Sequence, residues 1–313
     1  LLSLSQHDLP EARTGEAIVR VELASINPAD FLFIAGELPG PVRAMPGQIA
    51  GLCGVGVVET AAEMGPPAGT LVAFNALGTW ADYVAVPVAS LISLPSDFPR
   101  ELAAQYANLI TAWQMVEKCG VEPGGWLALT AGYSTVAVLA LQFAVRRGIR
   151  VLSVVRTAHD EPDLVGLGAA AVIATGDGPL SDAVSEATGG NGLNGIIDCV
   201  AGPTTGDLIR QCQPFSKMQL YGSLDPGNLN IAGQDVLYRF LEIIPYNYPF
   251  SFSPPATAND FDLVRRVSEE VLNCRLFVPV GGIYPIVDFR EALAGRAVAG
   301  DHGKRFLSMV EKT

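Results

Sequence analysis

Residues 126–156, WLALTAGYSTVAVLALQFAVRRGIRVLSVVR, limit the possible folds more than any other stretch. A short apolar run from Trp126 stops at a small-residue turn, Ala131-Gly132-Tyr133-Ser134. Val136, Leu139, Ala140, Phe143 and Ala144 then recur at i, i+3, i+4, i+7 and i+8, the spacing of one buried helix face, which predicts a helix from Ser134 to Arg147. Gly148 stops it, and Val151–Val155 opens a second strand. Strand, tight turn, helix, strand is the layout of a dinucleotide-binding unit. The uncharged run from Pro123 to Val145 is long enough to cross ~30 Å of bilayer as one helix. Gly124-Gly125 and the AGYS turn divide it, so a buried strand and helix are expected instead of a membrane span.

The rhythm continues on both sides. ELAAQYANLITAWQMVEKCG reads as a helix ending at Gly120. A short helix is expected before Gly168, then strand AAVIAT, helix PLSDAVSEATG, strand GIIDCV, helix TTGDLIRQCQ and strand KMQLYGS. Such alternation predicts a doubly wound parallel sheet. The front differs. EAIVRVELASI, GVGVVE, GTLVAFN and WADYVAVP are short strands between Gly and Pro turns, with few helices before Glu101. The tail from Arg275 returns to short strands with one helix. The expected division is 1–112, first part of a β-rich domain; 113–260, the inserted sheet domain; and 261–313, the return.

With 313 residues, 49% of them hydrophobic, the chain can bury two sizeable cores. A formal charge of −12 argues against a nucleic-acid binder, and no basic amphipathic stretch points to a membrane surface. Cys53, Cys119, Cys199, Cys212 and Cys274 are odd in number and widely spaced, which reads as free thiols in a reducing compartment. His7, His159 and His302 form no metal motif. The first residue is not Met, so targeting is not read from this end.

The ordered segments INPAD, GLCGVGVVE, NLITAWQMV, EPGGWLALTAGYSTVAVLALQFA, VLSVVR, GLGAAAVIAT, GIIDCVAGPTTGDLIRQC, MQLYGSL, YPIVDFREALAG and GKRFLSMV resemble the medium-chain dehydrogenase/reductase superfamily over nearly the whole chain. NLITAW, VVR, DCVAG and LYGSL are most similar to 2-enoyl thioester reductases, with quinone oxidoreductases as near neighbours. The resemblance implies a Rossmann-type doubly wound sheet domain inserted into a β-rich GroES-like domain, a homodimer joined through the sheet domains, and a cytoplasmic or mitochondrial-matrix location. Zinc members of the superfamily carry Cys or His where this chain has Asn27, Leu52 and, nearby, Ala107. None of these supplies a thiolate or imidazole, and the four-cysteine lobe is missing, so a zinc-free protein is expected.

In a dinucleotide fingerprint the first glycine makes the tight turn, the second admits the pyrophosphate, and the third, or an alanine, lets helix and strand pack. Gly132 and Ala137 fill the first and third places. Ser134 stands at the second, where its hydroxyl and the helix N-terminus can serve a phosphate. Tyr133, Thr135 and Val136 complete the turn. The second strand ends in Arg156, with no acid before Asp160, and a guanidinium suits a 2′-phosphate, which favours NADP(H). The alternative for Arg156 is a surface pair with Asp160 or Glu161. By resemblance Asn108 and Thr111 would face the nicotinamide. Tyr221, Gly222, Ser223, Leu224, Tyr246, Tyr248 and Lys304 would contact the dinucleotide.

By the same resemblance Asn27 and Thr111 are the candidate catalytic residues. Enoyl thioester reductases use a Tyr about where this chain has Leu38, which leaves the acid missing. Tyr106, Tyr133 and Tyr246 are candidates to replace it. Cys53 stands where the superfamily usually has Glu, as a buried filler or a pocket thiol. Three functions follow as expectations: an NADPH-dependent reductase of an activated C=C bond such as an enoyl thioester, a quinone oxidoreductase, or a dinucleotide-binding protein without turnover.

Overall fold

The computed structural model describes residues 2–38, 44–158, 162–225, 227–248, 258–294 and 303–310. The chain forms two compact units, Leu1–Ala107 with Ser253–Thr313, and Asn108–Phe252.

The first unit is built on a seven-stranded sheet. Its strands are β1 (Glu16–Ser25), β2 (Cys53–Thr60), β3 (Leu71–Asn75), β4 (Tyr83–Pro87), β5 (Leu91–Ser93), β12 (Val280–Pro285) and β13 (Lys304–Ser308). They run in the order β12-β13-β1-β2-β3-β5, with β4 also on β1. β1 pairs antiparallel with β2, β4 and β13, and the register sets Ala24 against Gly54 and Ser25 against Phe306. Ala17, Val19, Val21, Val58, Val72, Phe74, Val84 and Val86 close one core. Each such side chain contributes roughly 1.5–3 kcal/mol when fully buried, less for the alanine.

The sequence reading expected few helices here, yet α1 (Pro28–Ala35) follows β1 directly. Asn27 is its N-cap and Pro28 opens it. The Asp30 carboxylate reaches back to accept the Asn27 N–H at 2.6 Å. Gly36, with φ 74°, ends it in the left-handed conformation that glycine tolerates. Further on, α2 (Arg100–Ala103) and α3 (Tyr106–Cys119) divide what reads as one helix, and Gly120 ends the second. α8 (Ala258–Cys274) buries Leu263, Val264, Val267 and Val271, and α9 (Phe289–Ala294) lies in the tail.

The second unit is a six-stranded, wholly parallel sheet. Its strands are β6 (Trp126–Leu129), β7 (Arg150–Val155), β8 (Ala171–Ala174), β9 (Leu193–Asp198), β10 (Cys212–Leu220) and β11 (Glu242–Pro245). The order is β11-β10-β9-β6-β7-β8. The chain steps from β6 out to β8 and then restarts at β9 on the other side. The crevice between the carboxyl ends of β6 and β9 is therefore the topological switch point, where open α/β sheets bind ligands. Its helices are α4 (Thr135–Arg146), α5 (Leu180–Thr188), α6 (Pro203–Ile209) and α7 (Gly233–Arg239), with the rest of α3. Trp113 of α3 meets Phe143 of α4 edge-on at 5.1 Å. The short helix expected before Gly168 is a run of turns at 164–168. There the Asp163 carboxylate accepts the Gly166 N–H at 2.8 Å, a local bond that competes with helix.

Candidate active site

The turn after β6 is built differently from the fingerprint logic. The left-handed residue is Ala131, with φ 47°. Gly132 is required by close approach to β7: a Cβ there would meet Val155 Cγ1 at 3.0 Å and Ser153 Cβ at 3.1 Å. Gly132 N–H donates to Val154 O, pinning the turn to that strand. Ser134 caps α4, its hydroxyl accepting the Ala137 N–H at 3.3 Å. Thr135 and Val136 supply the first N–H groups of the helix, which have no carbonyl of a preceding turn to bond.

Ser134 also hydrogen-bonds the Tyr221 phenol, and Tyr221 in turn bonds the Cys199 thiol. Burial holds the phenol well above its ordinary value, so it stays protonated, and burial raises Cys199 as well. A Cβ on Gly222 would meet Cys199 Cβ and O at 3.0 Å. The half-exposed Tyr221 and Gly222 and the exposed Ser223 and Leu224 thus run across the end of β9, with Leu224 N–H on Cys199 O. Beneath them Asp198 is fully buried. It accepts from Thr130 Oγ1 at 2.7 Å, Thr205 Oγ1 at 3.0 Å and the Ala201 N–H at 2.9 Å. Sequence reasoning did not single out Asp198 or Thr130, although the DCVAG segment carried the signal.

Arg156 is exposed just past β7. Asp160 and Glu161, its alternative partners, lie outside the described residues. On α3, Asn108 is half-buried, and the buried Thr111 hydroxyl bonds the Tyr246 phenol. Tyr246 donates to Gln114 Oε1 at 2.8 Å. Burial pushes its phenol up to about 12, with Thr111 pulling the other way. Tyr248 is half-buried two residues on.

The first unit brings Asn27 and Lys304 together, although one follows β1 and the other opens β13. Lys304 Nζ donates to Asn27 Oδ1, and Asn27 Nδ2 donates to Ser25 Oγ at 3.0 Å. Asp30 is 0% exposed, and burial lifts its carboxyl to about 6 against the pull of the Asn27 N–H, Lys304 and the Leu52 N–H. Burial lowers Lys304 to about 8, with Cys53 and Asp30 drawing it back up. The Cys53 thiol is pushed up to about 12, chiefly by burial and then by Asp30. Cys53 therefore stays a neutral thiol beside two buried charges. Lys304 was expected to serve the dinucleotide; here its ammonium is turned onto Asn27.

Tyr106 is withdrawn as a proton donor. It is 3% exposed, donates to Val264 O at 3.0 Å and lies 2.9 Å from Ser268 Oγ, so it fixes α3 to α8. Leu38 lies just past α1, its N–H on Leu32 O at 3.0 Å. Among the described residues no group of three or more His, Cys, Asp or Glu could hold a metal ion.

The crevice fits a dinucleotide. A close-packed glycine, a capped helix N-terminus, and an exposed guanidinium past the next strand occur in the places that pyrophosphate and ribose binding require. Residues 13–96 match the alcohol dehydrogenase GroES-like domain family, and residues 135–250 match the zinc-binding dehydrogenase family. The mitochondrial enoyl-(acyl-carrier-protein) reductase of Homo sapiens is 24% identical over 99% of this chain and 85% of its own length. A Bacillus thuringiensis structure, provisionally assigned as an NADPH:quinone reductase, superposes with a TM-score of 0.85 at 26% identity, over 97% of this chain and 93% of that one. The quinone oxidoreductase of Thermus thermophilus, also solved with NADPH, shares the fold at a TM-score of 0.81 and 23% identity, over 98% and 96% of the two chains. Fold and site together define a dinucleotide-binding oxidoreductase with a GroES-like unit. The chain belongs to the medium-chain dehydrogenase/reductase superfamily.

Proposed function

We propose that this protein is a zinc-free, NADPH-dependent reductase of an activated C=C bond, with an enoyl thioester of coenzyme A or acyl carrier protein as substrate class. The observation that carries the reading is Arg156, exposed at the end of β7, beside a turn whose helix is capped by Ser134. When bound, NADPH supplies a hydride. The chain's own groups do the rest. The N-terminus of α4 and the Ser134 hydroxyl face phosphate, Arg156 pairs with the 2′-phosphate, and the LYGSL segment over β9 supports the dinucleotide. Similarity to enoyl-(acyl-carrier-protein) reductases over 99% of the chain supports the thioester. Leu38, which carries no acid, favours a second reading, quinone reduction, since a quinone needs little proton assistance.

NADPH and NADH titrations followed by fluorescence test the cofactor. Arg156→Ala should weaken NADPH at least about tenfold, the loss of a charge-assisted contact of roughly 1.5–3 kcal/mol, and leave NADH nearly unchanged. Equal loss for both would remove the 2′-phosphate role. NADPH consumption with a crotonyl thioester and with a quinone then separates the two substrates. Binding without turnover on either would favour a dinucleotide-binding protein without catalysis. Metal analysis should find far less than one zinc per chain. A second copy of this chain is the proposed partner, supported by the stacked Phe215 and Phe240 rings, which the second unit leaves exposed. The cytoplasm or mitochondrial matrix is the proposed location, in keeping with the mitochondrial relatives. No helix among the described residues is long and apolar enough to cross a membrane.

A further inference from the structure

A glycine at the second place of a dinucleotide fingerprint lets the backbone itself approach the pyrophosphate. Ser134 stands there in this chain, so the contact passes to a hydroxyl. A hydroxyl carries one hydrogen and two lone pairs, and only the hydrogen suits a phosphate oxygen. A lone pair aimed at the same oxygen would repel it. The turn therefore needs a device that leaves the Ser134 hydrogen for the ligand, and the residues around it supply one.

All of them belong to the second unit and lie at the carboxyl ends of β6, β9 and β10, where the crevice opens. Three strand ends are tied together there. Thr130 Oγ1 donates to Asp198 Oδ1 at 2.7 Å and accepts the Cys199 N–H at 3.0 Å. The Tyr221 N–H donates to Asp198 O at 2.9 Å, and a Cβ on Gly222 would meet Cys199 O at 3.0 Å. This frame fixes Tyr221, whose phenol reaches both Ser134 and the Cys199 thiol.

The donors then set the direction of each bond. The Cys199 S–H is directed at Thr130 O, 4.0 Å away, and sulfur is a weak acceptor. The phenol O–H therefore goes to Ser134 Oγ. The Ala137 N–H takes the other lone pair of that oxygen at 3.3 Å. With both lone pairs used, the Ser134 O–H is left to donate to a ligand. Burial keeps the phenol protonated across the neutral range, so the arrangement does not change with pH there.

We propose that Tyr221 is a positioning residue of the dinucleotide site: its phenol occupies Ser134 Oγ and so makes the Ser134 hydroxyl a donor to the diphosphate. The assignment rests on the dinucleotide-binding reading above. It gives Tyr221 an indirect part, through Ser134, in place of the direct contact expected by resemblance. Arg156 serves the 2′-phosphate alone, whereas the Ser134–Tyr221 pair serves the diphosphate that NADPH and NADH share.

The test uses the full chain and fluorescence titrations with NADPH and NADH, and needs no turnover. Tyr221→Phe keeps the ring and its packing and removes only the hydroxyl. It should weaken both cofactors by the same factor, about threefold to tenfold, the worth of one neutral hydrogen bond. Ser134→Ala should weaken both by at least about tenfold, the loss of a contact to a charged group. On the Ser134→Ala background, Tyr221→Phe should change either affinity by less than about twofold, because the phenol then has no hydroxyl to orient. Ser134→Thr keeps the hydroxyl, so on that background Tyr221→Phe should again weaken both cofactors. Losses that add in the Ser134→Ala, Tyr221→Phe double variant mean that the phenol touches the cofactor or serves folding alone, and overturn the proposal. Wild-type affinity in Tyr221→Phe overturns it too, as does a loss confined to NADPH. A wild type that binds neither cofactor instead removes the dinucleotide reading, and this role of Tyr221 with it.

Discussion

Folding desolvates Lys304 and Asp30 together, and each shifts toward its neutral form. Unfolded lysine keeps its proton to about 10.5, whereas the folded amine releases it near 8. Between those values the unfolded chain binds more protons, so this residue makes stability rise with pH; below about 8 its full penalty, on the order of 3 kcal/mol, applies. Asp30 is the converse. Its carboxyl is lifted from 3.8 to about 6, so the folded form holds its proton longer and stability falls as pH rises through that window. The stability difference between wild type and Lys304→Met should therefore move in the wild type's favour by about 1–2 kcal/mol between pH 7.5 and 9.5, measured from urea midpoints. A flat difference would mean that the folded Lys304 amine keeps its proton through pH 9.5, as the unfolded lysine does. At pH 7, Lys304→Met alone leaves the Asp30 carboxylate buried without its cation and should destabilise. Adding Asp30→Asn should restore at least wild-type stability, because an uncompensated buried charge costs more than none.

At the scale of elements, the residues of the β6–α4 turn proposed to bind the dinucleotide are also the ones that fold it. Ala131 sits in left-handed backbone, which disfavours a side chain by roughly 1 kcal/mol, so Ala131→Gly should raise stability by about 0.5–1 kcal/mol in thermal denaturation. Ser134→Ala removes the α4 cap and should cost about 1 kcal/mol, weakening NADPH as well. If Ser134→Ala changes neither, the capping geometry is wrong. Most of this unit was legible because a buried parallel strand is a short apolar run and α4 repeats its apolar face at 3.6-residue spacing. α1 was missed because PADFLFIA is apolar on nearly every side and shows no polar face. α8 did carry a signal, since Leu263, Val264, Val267 and Val271 fall on one face. The Lys304–Asn27 contact joins residues 277 positions apart, and no local pattern links them before the sheet sets β13 beside β1.

For the molecule as a whole, the feature that calls for a partner is the β11 edge of the parallel sheet. Phe215 and Phe240 stack at 4.9 Å with planes 9° apart, yet are 71% and 60% exposed. Both hold left-handed backbone, φ 66° and 51°, and Phe215 lies where β10 loses register with β9. Leu237 and Tyr238 are exposed beside Phe240 in the chain. Two strained residues that hold aromatic rings in water are explained if a partner covers them. β11 suits a copy of itself: antiparallel pairing about a two-fold axis sets Ile243 against Ile244 and Glu242 against Pro245, so like charges do not meet. With a formal charge of −12 on each chain, association must overcome repulsion, and added salt should strengthen it. Sedimentation equilibrium at micromolar concentration should give a dimer. Phe240→Asp should shift the protein to monomer without loss of Tm, because Asp tolerates left-handed backbone better than Phe. A wild type that remains monomeric at high salt, or a Phe240→Asp variant that stays dimeric, would place the interface elsewhere and leave the exposed stack without a partner.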